Sequence, residues 1–206
     1  MKIICVASTK GGTGKSTLCV TLAAYVQSLG QEVAVIDLDR GQGSATAWLS
    51  ERAAAKHPCP ELITPRALRV DLRRLAGRGM HYVFLDTPPT LDDSGVVEAA
   101  VEAATHILSP CRPSILDIGA AQTIANLAGE TPLGFVLTDA TTQWRSTNDS
   151  AAKALADIGH VFANRIAHRN AYVNAPALGR IAPEVDKAAA AEVAALWKEV
   201  ARWMTK

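Results

Sequence analysis

Eight residues near the start of the chain, Lys10-Gly11-Gly12-Thr13-Gly14-Lys15-Ser16-Thr17, have the types and order needed to hold a polyphosphate. The glycines let the backbone turn so that successive N–H groups face an anion. A helix opening at the end of the run adds its positive terminus at the same point. Lys15 is placed to reach the outer phosphates, and the Ser16 hydroxyl is placed to ligate Mg²⁺. The strict pattern for such a loop has glycine at position 9; this chain has Thr9 and a second lysine, Lys10, at the loop entrance.

Three aspartates extend the chemistry. Asp86 closes the apolar run Tyr82–Asp86 and suits a carboxylate that holds a metal-bound water or the Ser16 hydroxyl. Asp37 and Asp39 stand two apart at the end of Glu32–Asp37. One of them would support the Mg²⁺ shell, a role assigned to Asp37. Asp39, further out, would orient the water that attacks a γ-phosphate.

The elements that must position these residues follow from hydrophobic patterning. Strands are expected at Lys2–Ser8, Glu32–Asp37, Tyr82–Asp86, Thr105–Ser109, Leu133–Thr138 and Val161–Ile166, with a short edge strand around Glu61–Thr64. Helices are expected at about Thr17–Leu29, Ser44–Ala55, Ala67–Ala76, Ser94–Ala104, Ser114–Leu127, Asn148–Asp157 and Asp186–Met204. Asp139–Arg145 reads as a polar loop, and His168–Leu178 as a loop with a short helix. Strands alternating with helices predict a three-layer α/β fold, a mostly parallel twisted sheet with helices on both faces. Neither a linker nor an internal repeat divides residues 1–206, so one domain is expected. In such a sheet ligands bind at the carboxyl ends of the strands, where the loop, Asp37, Asp39, Asp86, Thr138 and Asp139 all fall.

Composition narrows the classes. A hydrophobic content of 49% with 20% charged residues is that of a globular protein. No apolar run is long enough to span a bilayer, and the chain enters a strand at once, so neither a membrane span nor a signal peptide is expected. The cysteines (Cys5, Cys19, Cys59, Cys111) lack metal-ligand spacing, and a cytoplasmic location follows. There is no Ser/His/Asp nucleophilic set. The net charge of +1 by itself predicts no polyanion partner. The charge is unevenly spread, however: from His160 onward seven Lys/Arg face four acids, against fourteen and sixteen before it. Trp197, with Leu196, Val200 and Trp203, reads as the buried stripe of the last helix.

The residues resemble a family. Lys10–Thr17 is similar to the deviant Walker A loop of the ParA/MinD ATPases, which are P-loop NTPases. Val35-Ile36-Asp37-Leu38-Asp39 resembles their second motif, and Val83-Phe84-Leu85-Asp86-Thr87-Pro88-Pro89 their Walker B. Ser109–Asp117, Arg169-Asn170 and Ala175-Pro176 with Gly179 resemble looser family stretches. The resemblance implies an ATP- and Mg²⁺-dependent hydrolase that forms a homodimer with two ATP molecules between the subunits. Lys10 matches the family's signature lysine, which reaches the partner's phosphates. Lys10, Lys15 and Asp39 would carry catalysis. Lys10, Gly11, Gly12, Thr13, Gly14, Lys15, Ser16 and Thr17 would cradle the phosphates, and Ser16, Asp37 and Asp86 would serve the metal. Adenine contacts map to Thr138, Asp139 and the stretch around Ala167, His168 and Arg169; the family often has proline at the position of Ala167.

Size and ending resemble the small ParA type. It binds nucleoid DNA without sequence preference and positions a plasmid, chromosome region or protein assembly, stimulated by a small ParB-like adaptor. Arg165, Arg169, Arg180, Lys187 and Lys198 are the candidate DNA contacts. No stable membrane association is expected. A metabolic or cofactor-assembly ATPase of the same fold, or a MinD-like membrane-associated positioning ATPase, are the alternatives; the scattered cysteines argue against cluster carrying.

Overall fold

The computed structural model describes residues 1–89, 95–141 and 145–205. Seven strands form one sheet: β1 Lys2–Val6, β2 Val33–Asp37, β3 Glu61–Ile63, β4 Tyr82–Asp86, β5 His106–Cys111, β6 Leu133–Leu137 and β7 His160–Val161. Their order is β3-β2-β4-β1-β5-β6-β7 and every pairing is parallel. Strands covered on both faces read as continuous apolar runs, which is why β2, β4 and β6 stand out as VAVID, YVFLD and LGFVL.

The helices are α1 Lys15–Ser28, α2 Ser44–Ala54, α3 Leu68–Gly77, α4 Val96–Ala103, α5 Ile115–Ala128, α6 Arg145–Ala156, α7 Asn170–Asn174 and α8 Lys187–Trp203. Two apolar clusters cover the two faces of the sheet. One joins α1, α2 and α8 to residues such as Ile4, Val35 and Phe84; the other joins α3 to α6 to Cys5, Ile36 and Leu85. Helix α1 is apolar nearly all round because it is packed nearly all round: Leu18, Cys19, Val20, Leu22, Ala23 and Val26 are all buried. Three of the four cysteines are buried and all four are free.

The expected layers and sheet are observed; most boundaries shift by a residue or two, α6 begins three residues earlier than expected, at Arg145, and three differences have a physical reason. Helix α1 starts two residues early, at Lys15, because Gly14 takes the left-handed conformation directly before it (φ 89°). Strand β5 runs on through Pro110 to Cys111. Its pairing with β1 stops at Leu108, and Pro110 faces that vacated side, so its missing N–H costs no ladder bond. Strand β7 is only two residues long rather than reaching Ile166. The N–H groups of Ala163 and Asn164 donate to the Glu199 carboxylate on α8 (2.9 and 3.0 Å), which interrupts the ladder to β6 until the Ile166 N–H donates to the Leu137 carbonyl (2.9 Å). The expected helix start at Ser94 and the part of the polar loop at 142–144 lie outside the described residues, as does Lys206 of the basic count.

The expected stripe of the last helix is buried at Leu196, Trp197 and Val200 and only partly buried at Trp203. Trp197 packs edge-on to Tyr82 at 5.2 Å, and Trp203 joins His106, His160 and Phe162. Among the described residues no helix is long and apolar enough to cross a membrane.

Candidate functional site

The loop between β1 and α1 stands over the middle of the sheet, with β4 and β5 on either side of β1. Gly12 and Gly14 have φ of 74° and 89°, a region L side chains rarely adopt. No side chain caps α1, so its first-turn N–H groups have no side-chain acceptor, the arrangement an anion completes. The Thr138 hydroxyl donates to the Thr13 carbonyl (2.9 Å), tying the end of β6 to the loop.

Lys15 is buried. Its Nζ donates to the Lys10 carbonyl at 3.3 Å, within the curve of the loop. Burial pulls its ammonium below the ordinary lysine range, against the charges of Asp86 and Asp39, which favour the cation. Asp86 has no exposed surface, and neither of its carboxylate oxygens has a hydrogen-bond partner of ordinary geometry. Burial pushes its carboxyl up to about 7; Ser16 and Lys15 favour the ionised form, while Asp37 and Asp39 oppose it. A buried, unpartnered carboxylate beside Ser16 fits a hydrated Mg²⁺ held by the hydroxyl, with Asp86 reaching the water shell. Among the described residues no three His, Cys, Asp or Glu side chains are grouped as a metal-ligand set. A cation here would therefore draw ligands from Ser16, water and phosphate oxygens.

Asp37 and Asp39 do different work, as their alternation on a strand end implies. Asp37 accepts from the Asp39 N–H (3.0 Å) and the Thr46 N–H (2.8 Å) and so anchors the start of α2. Asp39 uses Oδ1 to accept from Gly41 and Gln42 (3.1 and 3.0 Å), and it lines the cleft beside Lys15, Ser16 and Thr17.

Two adjoining clefts carry the other candidates. The first, about 260 Å³, gathers Gly12, Thr13, Gly14, Thr17, Thr138, Asp139, Ala167, His168 and Arg169. The second, about 590 Å³, holds Gly11, Lys15, Ser16 and Asp39. They share Gly12, Gly14, Thr17, Tyr172 and Val173 as walls, so they form one elongated groove. At its narrow end Asp139, with φ 55°, hydrogen-bonds to His168, and Arg169 is paired with Glu192. Thr21 also faces this end, and its buried hydroxyl has no partner. Sequence reasoning missed it, although it lies one helical turn beyond Thr17 on the same face of α1.

Lys10 lines neither cleft. Its Nζ contacts the buried Asp117 carboxylate on α5 at 2.6 Å. Thr9, the departure from the strict loop pattern, donates to the Ala120 carbonyl of the same helix (3.2 Å). Of the candidate DNA contacts, Arg165 pairs with Asp149 (2.6 Å) and Arg169 with Glu192. Arg180, Lys187 and Lys198 are exposed and have no ion pair among the described residues.

Comparison with known proteins assigns the fold and the family. The family described as "CobQ/CobB/MinD/ParA nucleotide binding domain" matches residues 4–182. "Maintenance of carboxysome distribution protein A" of Gloeobacter kilaueensis is 38% identical over 119 residues, covering 57% of this chain and 52% of the relative. "Chromosome-partitioning ATPase Soj" of Thermus thermophilus is 34% identical over 138 residues, covering 52% and 53%. The chain thus spans about half the length of the curated relatives it matches. The MinD cell division protein of Aquifex aeolicus superposes with a TM-score of 0.78 at 18% identity, over 100% of this chain and 98% of that one. Cyanothece McdA in complex with ATP superposes with a TM-score of 0.75 at 18% identity, over 98% and 96%. With this loop on this sheet and a family match running from β1 to beyond the groove, the chain belongs to the CobQ/CobB/MinD/ParA nucleotide-binding family.

Proposed function

We propose that the chain is an ATP-hydrolysing switch that closes as a homodimer over two ATP molecules. In the closed form it binds nucleoid DNA without sequence preference, in the cytoplasm. It partitions or positions a cargo, and a small ParB-like adaptor stimulates its turnover. The observation that carries this reading is Lys10: a lysine at the entrance of a phosphate loop whose ammonium is turned away from its own groove. A cation so placed has its use at a second subunit's phosphates, where it stabilises charge only once two copies meet. Relatives named for carboxysome distribution and chromosome partitioning support the positioning role.

In this reading Gly11 to Thr17 bind the triphosphate through backbone N–H groups, and Lys15 neutralises its outer oxygens. Ser16 would hold Mg²⁺, with Asp37 and Asp86 reaching its waters; bound there, the ion would neutralise charge building on the β- and γ-phosphates. Asp39 orients the attacking water through the carboxylate oxygen not committed to Gly41 and Gln42. The adenine lies at the narrow end, between Thr138–Asp139 and Ala167–Arg169.

The test is mass in solution by light scattering. Wild type should double its mass with ATP and Mg²⁺ but not with ADP. Lys10→Ala should stay monomeric while keeping most of its ATP affinity. A Lys10→Ala chain that dimerises and turns over like wild type would refute the trans role.

A further inference from the structure

At the narrow end of the groove the chain leaving β6 is laced to residues 166–168. The Ala140 N–H donates to the Ile166 carbonyl (3.2 Å), and the His168 N–H donates back to the Ala140 carbonyl (3.3 Å). The Ala167 N–H donates to the Glu192 carboxylate (3.4 Å). These three backbone donors are committed, so a base held between them must be read by side chains. In the stretch Ala167–Arg169, Ala167 has no polar side chain, and the Arg169 guanidinium is turned to Glu192 on α8 (Nε to Oε1, 3.0 Å). His168 remains. Its Nδ1 is hydrogen-bonded to Asp139 Oδ1, and both residues line the cleft. Asp139 keeps a left-handed φ of 55°, a conformation that costs energy in a residue with a side chain and that recurs where ligands are clamped.

A carboxylate only accepts hydrogen bonds. Bonded to Asp139, His168 therefore carries a proton on Nδ1, and the neutral imidazole then offers Nε2 as an acceptor. We propose that this pair selects the purine: His168 Nε2 accepts from an exocyclic amino group, so a 6-amino purine is held in preference to a 6-oxo purine. His168 is the specificity-determining residue, and Asp139 is a positioning residue that fixes the tautomer. The inference rests on the nucleotide reading above and adds a base-reading group to it.

The chemistry of the two bases decides the direction. A 6-oxo purine sets an acceptor against the Nε2 lone pair, and both groups are then left unpaired under the base. The side chains of His168 and Asp139 are 61% and 50% exposed, so they are reachable by a base entering the groove. A separate mark of a polar ligand lies in the same cleft. Thr21 is 2% exposed, and its hydroxyl has no partner. A hydroxyl donor there suits the ring nitrogens N3 and N7, which 6-amino and 6-oxo purines share. Thr21 would therefore add affinity without choosing between them.

The test is a ratio of affinities. ATP and inosine triphosphate compete in turn, with Mg²⁺, against a fluorescent ATP analogue labelled on the ribose. The two competitors differ in the 6-substituent and in the proton that N1 gains with the oxo group. Wild type should bind ATP about tenfold more tightly than inosine triphosphate, the scale of one mismatched hydrogen bond. His168→Phe keeps a ring, removes the acceptor and should bring the two affinities to parity. His168→Gln, whose amide oxygen can stand in for Nε2, should keep part of the preference. Asp139→Asn preserves the backbone, because asparagine visits the left-handed region readily. Its amide can turn either a donor or an acceptor to the imidazole, so the tautomer is no longer fixed and the preference should fall several-fold. Thr21→Val should weaken both nucleotides alike.

A merely structural Asp139 would weaken both nucleotides and leave their ratio unchanged, which overturns its positioning role. A wild type that binds the two equally overturns the proposal, as does a His168→Phe that keeps the wild-type ratio. A preference lost in Thr21→Val and kept in His168→Phe moves the reading group to α1 and overturns it too. Should Asp139→Asn fail to fold by circular dichroism, the two His168 variants, at an exposed side chain, decide. A wild type to which neither the probe nor ATP binds refutes the nucleotide reading itself.

Discussion

A carboxyl that burial lifts to about 7, as at Asp86, is half protonated near neutrality, and this makes the site's resting state pH-dependent. The folded value lies above the unfolded one. The stability it contributes is therefore present in full below about pH 4 and is lost as pH rises through about 7. Asp86→Asn removes the buried anion without changing its shape. Without nucleotide the variant should melt higher than wild type at pH 8, by an upper bound of about 4 kcal/mol of stability, and the gap should close toward pH 5. A variant less stable at pH 8 would refute the desolvated-anion account. At Asp39 the carboxylate Oδ1 accepts from two N–H groups, and what is at stake is its reach into the groove. Asp39→Ala should bind ATP, cut turnover by about 10²-fold or more and accumulate as dimer; wild-type phosphate release would refute the water-orienting role. Asp86 is legible in the sequence because it closes an apolar strand, and Asp39 because it stands two residues beyond the end of one. Asp117 stands within a family-like stretch, but the sequence assigns it no role. Its partner Lys10 lies 107 residues away, and only the fold brings them together.

Elements are legible where one physical signal dominates. The β2, β4 and β6 runs and the caps Ser114 and Asp186 announce themselves locally: Ser114 accepts from Asp117, and Asp186 from Ala188 and Ala189. The end of β7 does not, because a carboxylate on α8 competes for its backbone donors. The 3₁₀ turn Ala175–Leu178, which follows α7, is likewise fixed by tertiary contacts. It ends at Gly179, with φ 61°, whose carbonyl accepts from the buried Arg52 (3.1 Å). Arg52 also grips Glu184 with two bonds of 2.9 and 2.6 Å, locking α2 to the turns before α8. A Cβ at Gly179 would stand 2.7 Å from Arg52 Cα and from the Glu51 carbonyl oxygen, backbone that cannot step aside. Gly119, inside α5, has normal φ and nothing within 4 Å. The two glycines therefore predict opposite signs. Gly179→Ala should cost at least about 2 kcal/mol, lowering Tm by roughly 5 °C or more. Gly119→Ala should raise it, by up to about 1 kcal/mol of helix propensity. Thermal melts of the two variants without nucleotide check both signs in one experiment.

At the scale of the molecule, alternating strands and helices imply a parallel sheet, and the sheet places the chemistry at one rim; both are readable because connection rules leave few topologies. Surface charge is not readable in the same way. Composition nominates five basic residues, and the fold divides them: Arg165 and Arg169 are paired to Asp149 and Glu192, whereas Arg180, Lys187 and Lys198 are exposed without an ion pair among the described residues. Lys187 and Lys198 stand on α8 eleven residues apart, which is three turns and about 16 Å along one face. Two ammonium groups so spaced can follow a phosphate backbone, and a dimer would present two such pairs. On the proposed function, removing them should weaken DNA binding in the ATP state without touching the groove; a wild type that binds no DNA with ATP refutes that part of the proposal. Every lysine–phosphate pairing that is removed should also flatten the dependence of log affinity on log salt by about 0.9. Lys187→Glu/Lys198→Glu, assayed by anisotropy on random-sequence duplex DNA over a salt series, should show both changes, with monomer ATP affinity intact. Arg165→Glu, at a residue already paired, should move the salt slope far less. If the Arg165 variant flattens the slope and the α8 pair leaves it unchanged, the DNA face lies around β7 instead of along α8.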